Sequence, residues 1–368
     1  MKIVVLSSYT PSLFWFRIDM MKAFQRNGHQ VIAVGPDSPE KWVDRFKDVG
    51  IDYRQIFTAR NGLNPITDIK SYLALKKFFK QERPHKLFVY QAKAISYGSV
   101  AAKKYGNTEV YPLVAGLGSI FRGRGLKNRF LRIVMSMLYK KAFQYAEKVF
   151  MQNQDDVNDI VNAGLLKRDN IVMMNGSGVN ITKFCVKGLP TVPTFLFIGR
   201  LIRDKGVGEY LAACRIIKQN YKNVCCLLVG PYDSNPSALK PDDLKTYIED
   251  GSVEYFGEQT DVRPFIERAS IYVLPSYHEG TPKTVLEAMS MGRAIITTDA
   301  PGCRETVADG INGCLVPVKN VDAIVEKMEY LINNYEEVER MGKESRIIAV
   351  RRFDVNKVNA SIIKEMGL

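Results

Sequence analysis

Cysteine, histidine and tryptophan are scarce here: six, three and two of 368 residues. The cysteines (Cys185, Cys214, Cys225, Cys226, Cys303, Cys314) form no Cys-x-x-Cys pair, and no histidine stands at ligand spacing from one of them. This argues against a zinc site and against a disulfide scaffold. The thiols are expected to be reduced and buried in a cytoplasmic protein. No stretch of about 18 unbroken apolar residues occurs, so no spanning helix is expected. The apolar run of Met1–Ser7 is too short for an export signal, and polar Ser7, Ser8 and Thr10 follow at once. No Gly-x-Gly-x-x-Gly follows that run, which argues against a dinucleotide-dependent oxidoreductase.

What is present is ordinary in bulk and uneven in detail. The chain is 46% hydrophobic and 25% charged, as a soluble globular protein is, and its length fits two domains better than one. Residues 1–150 hold 26 basic and 10 acidic residues, a surplus of 16, while residues 151–368 hold 26 and 29, a deficit of three. A basic half suggests an anionic partner: an acidic membrane surface, a phosphorylated substrate or nucleic acid. A merely solvated lysine-rich surface is the plain alternative.

Short apolar runs alternate with stretches of helical period. The first half has Lys2–Ser7, Gln30–Gly35, Lys86–Tyr90, Val110–Val114 and Lys148–Met151, with helical patterns at Ile18–Asn27, Ile66–Gln81 and Ile95–Lys104 between them. The second half has Thr194–Ile198, Val224–Val229, Val253–Phe256, Ile271–Pro275, Ala294–Thr298 and Cys314–Val316. Runs rich in Val, Ile and Phe suit strands buried on both faces. The alternation predicts an α/β protein of two doubly wound parallel sheets. Lys187–Pro193, with one glycine and two prolines, reads as the linker. The expected domains are 1–187 and 193–351, with a terminal helix at Val355–Met366 packing back on the first. Ligands of such sheets sit beyond the carboxyl ends of the strands, and two of them facing each other would leave a cleft.

Two loops of the second half carry phosphate chemistry. The run Thr194–Ile198 leads into Gly199–Gly206 and then a helical stretch, so free backbone N–H groups and a positive helix end are expected beside Arg200 and Lys205. A surface turn with ordinary charges would look the same. The second loop, Ser276–Lys283, also opens a helix, with Pro282 in its first turn. Gly280 permits close backbone approach to a ligand. Glu287 interrupts the apolar run Val285, Leu286, Ala288, Met289, so it should lie half-buried and need donors such as ribose hydroxyls. Glu279, separated from Glu287 by seven residues (Glu-x7-Glu), could hold a sugar hydroxyl or stabilise developing positive charge.

The order Gly-Arg-Leu-x-x-x-Lys-Gly, Phe256-Gly-Glu258, Leu-Pro-Ser-x-x-Glu-Gly-x-Pro, Leu286-Glu-Ala-Met289 and Gly292–Asp299 resembles the retaining glycosyltransferases of family 4, of GT-B fold. Pro301–Glu305 and Asp309–Val316 follow the same pattern. The resemblance spans the second half and, more weakly, the first. It implies that Arg200 and Lys205 neutralise the diphosphate of a nucleotide-sugar donor, UDP-linked as in most relatives, and the charge growing on the leaving group. It implies that Glu287 binds the ribose and Glu279 faces the donor sugar. Gly280, Thr281, Pro282 and Lys283 would support the β-phosphate or sugar, and Gly257 and Glu258 would lie near the base. Such enzymes need no metal or other cofactor, in keeping with a chain that lacks Asp-x-Asp. The favoured mechanism is same-face attack, with the leaving phosphate taking the acceptor's proton.

The first half departs from the family pattern in two places. Ser7–Arg17 replaces the usual Gly-Gly turn after the first strand, and Arg17 is assigned to the acceptor. Gln91–Ala94 lacks the usual histidine, a role given in part to Lys93. The segment Val114–Phe121 resembles the loop of members that use polyprenyl-diphosphate-linked acceptors. Gly116, Gly118, Ser119, Arg122 and Arg124 are its candidates for the acceptor, since glycine N–H groups can cradle an anion. The stretch that follows is basic and amphipathic, and Arg129, Arg132, Lys140 and Lys141 are its candidate membrane contacts. A core-facing helix with a solvated basic face is the plain alternative. The reading is thus a cytoplasmic hexosyl or N-acetylhexosaminyl transferase at the inner face of the plasma membrane, acting in bacterial surface-glycan assembly, with no nucleic-acid partner. A GT-B sugar-nucleotide epimerase is the nearest rival. A sugar-binding protein and a nucleic-acid-binding protein fit less well, the latter for want of interleaved aromatics.

Overall fold

The computed structural model describes residues 1–59, 64–117, 125–233, 235 and 237–368, with Lys127 described by its backbone alone. The chain forms two compact units. The first is Met1–Ser177 with Val355–Leu368, and the second is Gly178–Asp354.

The first unit is a seven-stranded parallel sheet, β1 (Lys2–Ser7), β2 (Gln30–Gly35), β3 (Asp52–Gln55), β4 (Lys86–Tyr90), β5 (Glu109–Val114), β6 (Val149–Met151) and β7 (Ile171–Met173), in the order β3-β2-β1-β4-β5-β6-β7. Its helices are α1 (Thr10–Arg26), α2 (Pro39–Asp48), α3 (Pro65–Glu82), α4 (Ala92–Ala101), α5 (Leu126–Phe143), α6 (Gln154–Asn162) and, from the chain's far end, α13 (Val355–Met366). Alternate residues of β1 serve opposite cores: Val4 and Leu6 face one, Ile3 and Val5 the other. Period two with both faces apolar is why these strands read as unbroken runs. Edge strand β3, Asp-Tyr-Arg-Gln, buries only Tyr53 and so has no such run. β7 is the other edge, three residues long.

α13 lies on α1 and buries Val358, Ile362 and Met366 in the first unit's core. Each such burial contributes at most about 1.5–3 kcal/mol. The unit boundary falls at 177/178, ten residues before the proline-rich linker expected at 187–193. The reason is local. Residues 178–193 are tied into the second unit: Ser290 Oγ donates to Phe184 O at 2.7 Å, Arg346 Nη1 to Ile181 O and Phe184 O at 3.2 Å, and Arg293 Nη1 to Gly188 O at 3.1 Å.

The second unit is a six-stranded parallel sheet, β8 (Thr194–Ile198), β9 (Cys225–Val229), β10 (Glu254–Tyr255), β11 (Ile271–Leu274), β12 (Ala294–Thr298) and β13 (Gly313–Val316), in the order β10-β9-β8-β11-β12-β13. It carries α7 (Val207–Asn220), α8 (Pro241–Glu249), α9 (Arg263–Arg268), α10 (Lys283–Ser290), α11 (Val321–Asn333) and α12 (Tyr335–Arg352). In both sheets the strand order reverses beside the first strand of the unit, between β1 and β4 and between β8 and β11. That topological switch is where open α/β sheets place their ligands. All six thiols are free; Cys185 is exposed and Cys225 half-buried, unlike the four buried ones. No helix among the described residues is long and apolar enough to cross a membrane.

Candidate active site

The two loops singled out in the second half leave β8 and β11, the strands that flank the switch point. They are tied together through backbone groups: Tyr277 N–H donates to Asp204 O at 2.9 Å, and Ser276 Oγ to the same oxygen at 3.1 Å. Gly206 is left-handed (φ 71°), and a Cβ there would lie 2.1 Å from Pro275 O, so glycine is what lets the loops meet. The loop after β12 joins them. Glu279 N–H donates to Pro301 O at 2.9 Å, Thr298 Oγ1 donates to Ser276 O, and a Cβ on Gly302 would meet Glu279 O at 2.1 Å.

This scaffold pairs each of the two predicted cations with a carboxylate. Lys205 Nζ is ion-paired with Glu279 Oε1, and both side chains are mostly buried. Arg200 Nη1 pairs with Asp233 Oδ2 at 2.9 Å, on a more open edge. α7 begins directly after Gly206 without a side-chain cap, and α10 likewise has none. Their first-turn N–H groups are the donors that an anion at a helix start engages. Pro282 is the N-cap of α10 rather than part of its first turn as expected; Lys283 is the first helical residue.

Glu287 sits one turn into α10 and is 7% exposed. Burial pushes its carboxyl up to about 7, against the pull of the Lys283 and Lys183 cations. The turn Phe256–Glu258 lies beside the loop after β9, where Gly230 N–H donates to Gly257 O at 2.8 Å. Gly257 is left-handed at φ 65°.

Sequence reasoning missed two parts of this site. Fully buried Tyr272 of β11 donates to Ile198 O at 3.0 Å and shares its hydroxyl with Thr284 Oγ1 at 2.7 Å, fixing α10 against the end of β8. It looked like one more apolar strand residue. Asp233 was also missed. The only available signal was an acidic residue in the turn after β9.

The first-unit assignments fare differently. Arg17, expected at the acceptor, is buried inside the unit, its guanidinium over the rings of Phe88 and Tyr90 at 5.7 and 5.1 Å. Burial lowers its pKa, and a side chain so enclosed is a packing element. Lys93, the proposed stand-in for the histidine, is buried at the start of α4 and bound to Asp68 Oδ1 at 2.5 Å. At the β1–β4 switch the residue in evidence is Gln91. It holds a left-handed φ of 72°, and its Oε1 accepts from Ser7 Oγ at 3.0 Å and Ser8 Oγ at 2.7 Å. Gly116 is described, with φ 150°; Gly118, Ser119, Arg122 and Arg124 lie outside the described residues. Arg129, Arg132, Lys140 and Lys141 all lie exposed on α5. No group of three or more His, Cys, Asp or Glu that could hold a metal ion occurs among the described residues.

Residues 192–334 match the family model described as glycosyl transferases group 1. The chain is 28% identical over 348 residues to the N,N'-diacetylbacillosaminyl-diphospho-undecaprenol alpha-1,3-N-acetylgalactosaminyltransferase of Campylobacter jejuni, covering 91% of this chain and 90% of that one. It is 25% identical over 316 residues to the capsular polysaccharide biosynthesis glycosyltransferase CapM of Staphylococcus aureus, covering 81% and 79%. Among solved structures, Anabaena HepE in complex with UDP and glucose superposes with a TM-score of 0.79 at 17% identity, over 100% of this chain and 99% of that one. A Rickettsia africae glycosyltransferase gives 0.78 at 17% identity, over 99% and 96%.

Proposed function

We propose that this chain, a glycosyltransferase of GT-B fold whose second unit carries a group 1 glycosyltransferase domain, moves a hexose or N-acetylhexosamine from a UDP-sugar to a lipid-linked glycan with retention of configuration. The observation that carries this reading is the set of loops after β8, β11 and β12. They present Lys205, Arg200, Glu279 and Glu287 at one switch point, on two uncapped helix starts.

The donor's diphosphate meets Arg200, Lys205 and the first-turn N–H groups of α7 and α10. To bind, it displaces Asp233 and Glu279 as counter-charges. Glu287 receives the ribose hydroxyls. The bond from the sugar's anomeric carbon to the β-phosphate oxygen breaks, and the acceptor oxygen bonds to that carbon on the same face. The acceptor's proton passes to the departing phosphate, leaving UDP and the lengthened glycan. Lys205 and Arg200 act on the charge that grows in the transition state, where one well-placed donor is worth about 10²–10³ in rate. Glu279, released from Lys205, faces the sugar. No resident metal is required in this scheme.

The acceptor reading draws on the Campylobacter relative, whose name specifies a diphospho-undecaprenol substrate, and the surface-polysaccharide role on the Staphylococcus one. The exposed cations of α5 suit a peripheral position on an anionic membrane. A thermal-shift screen of UDP, GDP, ADP, UDP-sugars and NAD(H), in EDTA and then in Mg²⁺, tests the donor. Stabilisation of about 2.7 kcal/mol is expected with UDP at a hundred times its Kd, the same in both buffers. Stabilisation by NAD(H) alone contradicts the reading.

A further inference from the structure

α5 is not the only amphipathic helix of the first unit with an uncovered apolar stripe. On α5, Leu126, Phe130, Ile133 and Met137 recur at intervals of four, three and four, and all are more than half exposed. On α3, Ile66, Ile69 and Leu73 recur at intervals of three and four and are likewise more than half exposed. At 3.6 residues per turn each set forms a single face. Between the two helices, with α4 as its floor, runs a groove of about 600 Å³. Its apolar lining includes Ile69, Tyr72, Val100, Phe130, Val134 and Leu138.

The polar groups in that groove are already satisfied within the protein. Asp68 is held by Lys93 and by the Tyr97 hydroxyl. Ser96 Oγ donates to Ala92 O at 2.8 Å, and Tyr72 reaches the Tyr105 hydroxyl at 3.5 Å. Apart from the exposed ammonium of Lys141, which lies over the Tyr145 ring, the groove makes no hydrogen-bonding demand on an occupant, as suits a hydrocarbon chain.

Charge is arranged around it with one sign. α3 carries Lys70, Lys76, Lys77 and Lys80, which fall on or beside the helix face of Ile66, Ile69 and Leu73. α5 carries Arg129, Arg132, Lys140 and Lys141 and no acidic residue. The two carboxylates of α3 are both neutralised, Asp68 by Lys93 and Glu82 by Lys2. Apolar stripes inside a rim of cations, with no free carboxylate on either helix, complement an anionic bilayer.

We propose that α3 and α5 together form the membrane-docking face of this protein, and that the groove between them takes an acyl chain of an anionic bilayer lipid. The proposal rests on the peripheral-membrane reading above and extends it to a second helix and a defined chain site.

The test uses the full chain and vesicles of equimolar phosphatidylglycerol and phosphatidylcholine at low salt. One variant, Ile69→Asp/Leu73→Asp, alters exposed positions of α3 and leaves every α5 cation in place. A second, Val134→Trp, reports on the groove wall through quenching by lipids brominated in mid-chain, measured against the native Trp15 and Trp42. Expected are a partition lowered at least tenfold for the α3 variant and quenching by the acyl bromines in excess of wild type. If the α3 variant partitions as wild type while neutralising α5 releases the protein, this inference falls and the α5 reading stands. If wild type does not partition at all, both fall. Quenching that appears only with a brominated polyprenyl phosphate in detergent overturns the proposed occupant in favour of the acceptor's own chain.

Discussion

The two switch points of this molecule share a topology and differ in chemistry. At β8–β11 three loops are joined through backbone hydrogen bonds and glycines that leave no room for a Cβ, and the side chains they present are charged. At β1–β4 the joining groups are neutral side chains: Gln91 with Ser7 and Ser8, and Ser12 with the Tyr90 hydroxyl at 2.9 Å. Arg17 there is enclosed by aromatic rings. Clusters of cations lie instead on α3 and α5. One sheet thus gathers paired charges at its strand ends. The other joins its strand ends through neutral side chains and carries exposed cations on its helices.

Two largely buried lysine–carboxylate pairs sharpen this contrast. Lys93→Met leaves Asp68 buried and unpaired, which costs about 3–5 kcal/mol of stability in urea unfolding. Adding Asp68→Asn should recover most of that loss together with activity. A double variant that is stable but inactive would return Lys93 to catalysis. Lys205→Ala should fall on turnover, with kcat lowered about 10²-fold or more, and Glu279→Gln added to it should not restore activity. Arg200→Ala should follow at about 10²-fold. Near wild-type turnover in both would end the diphosphate assignment.

Gly302→Ala tests the backbone joining of the loops. Its Cβ would press on Glu279 O in a left-handed residue, so kcat/KM should fall by an order of magnitude while the chain stays folded, with a cost of about 1–3 kcal/mol.

Glu287 gives a pH signature. Its folded pKa of about 7 lies above the ordinary value of 4.5. The folded state therefore binds the proton more tightly, and this contribution to stability, full below pH 4.5, is lost as pH rises through 7. Glu287→Gln should raise the melting temperature at pH 8 but not at pH 5. Because ribose hydroxyls favour the carboxylate, UDP affinity should rise by up to about tenfold from pH 6 to pH 8 in the wild type and stay flat in the variant. The smallest effect belongs to α5. Replacing Arg129, Arg132, Lys140 and Lys141 with Gln should leave stability within about 0.5 kcal/mol while weakening vesicle binding in a salt-sensitive manner.

The same contrast explains what could be read from the sequence. β8, β11 and β12 are central strands with both faces buried, so they stand out as apolar runs. The loops after them carry glycines and charges at the strand ends, which marked Lys205, Glu279 and Glu287 as candidates. Asp233 and Tyr272 were not, because Arg200 lies 33 residues from Asp233, and Ile198 and Thr284 lie 74 and 12 residues from Tyr272. Arg17 and Lys93 were misplaced for a related reason. A cation in a polar loop or at a helix start looks available for chemistry until the rings of Phe88 and Tyr90, or Asp68 on another helix, are found against it. The unit boundary was drawn at the prolines, whereas the hydrogen bonds of Phe184 and Gly188 to α10, α12 and Arg293 set it earlier.

The most direct test of the donor site is calorimetric titration of wild type, Lys205→Ala and Glu287→Gln with UDP and with uridine, all in EDTA. UDP should bind the wild type without metal and lose at least tenfold in affinity with Lys205→Ala. Uridine should be indifferent to Lys205 and weakened by Glu287→Gln. UDP binding that is equal in all three proteins, or that requires Mg²⁺, would contradict the assignment of diphosphate to Lys205 and ribose to Glu287.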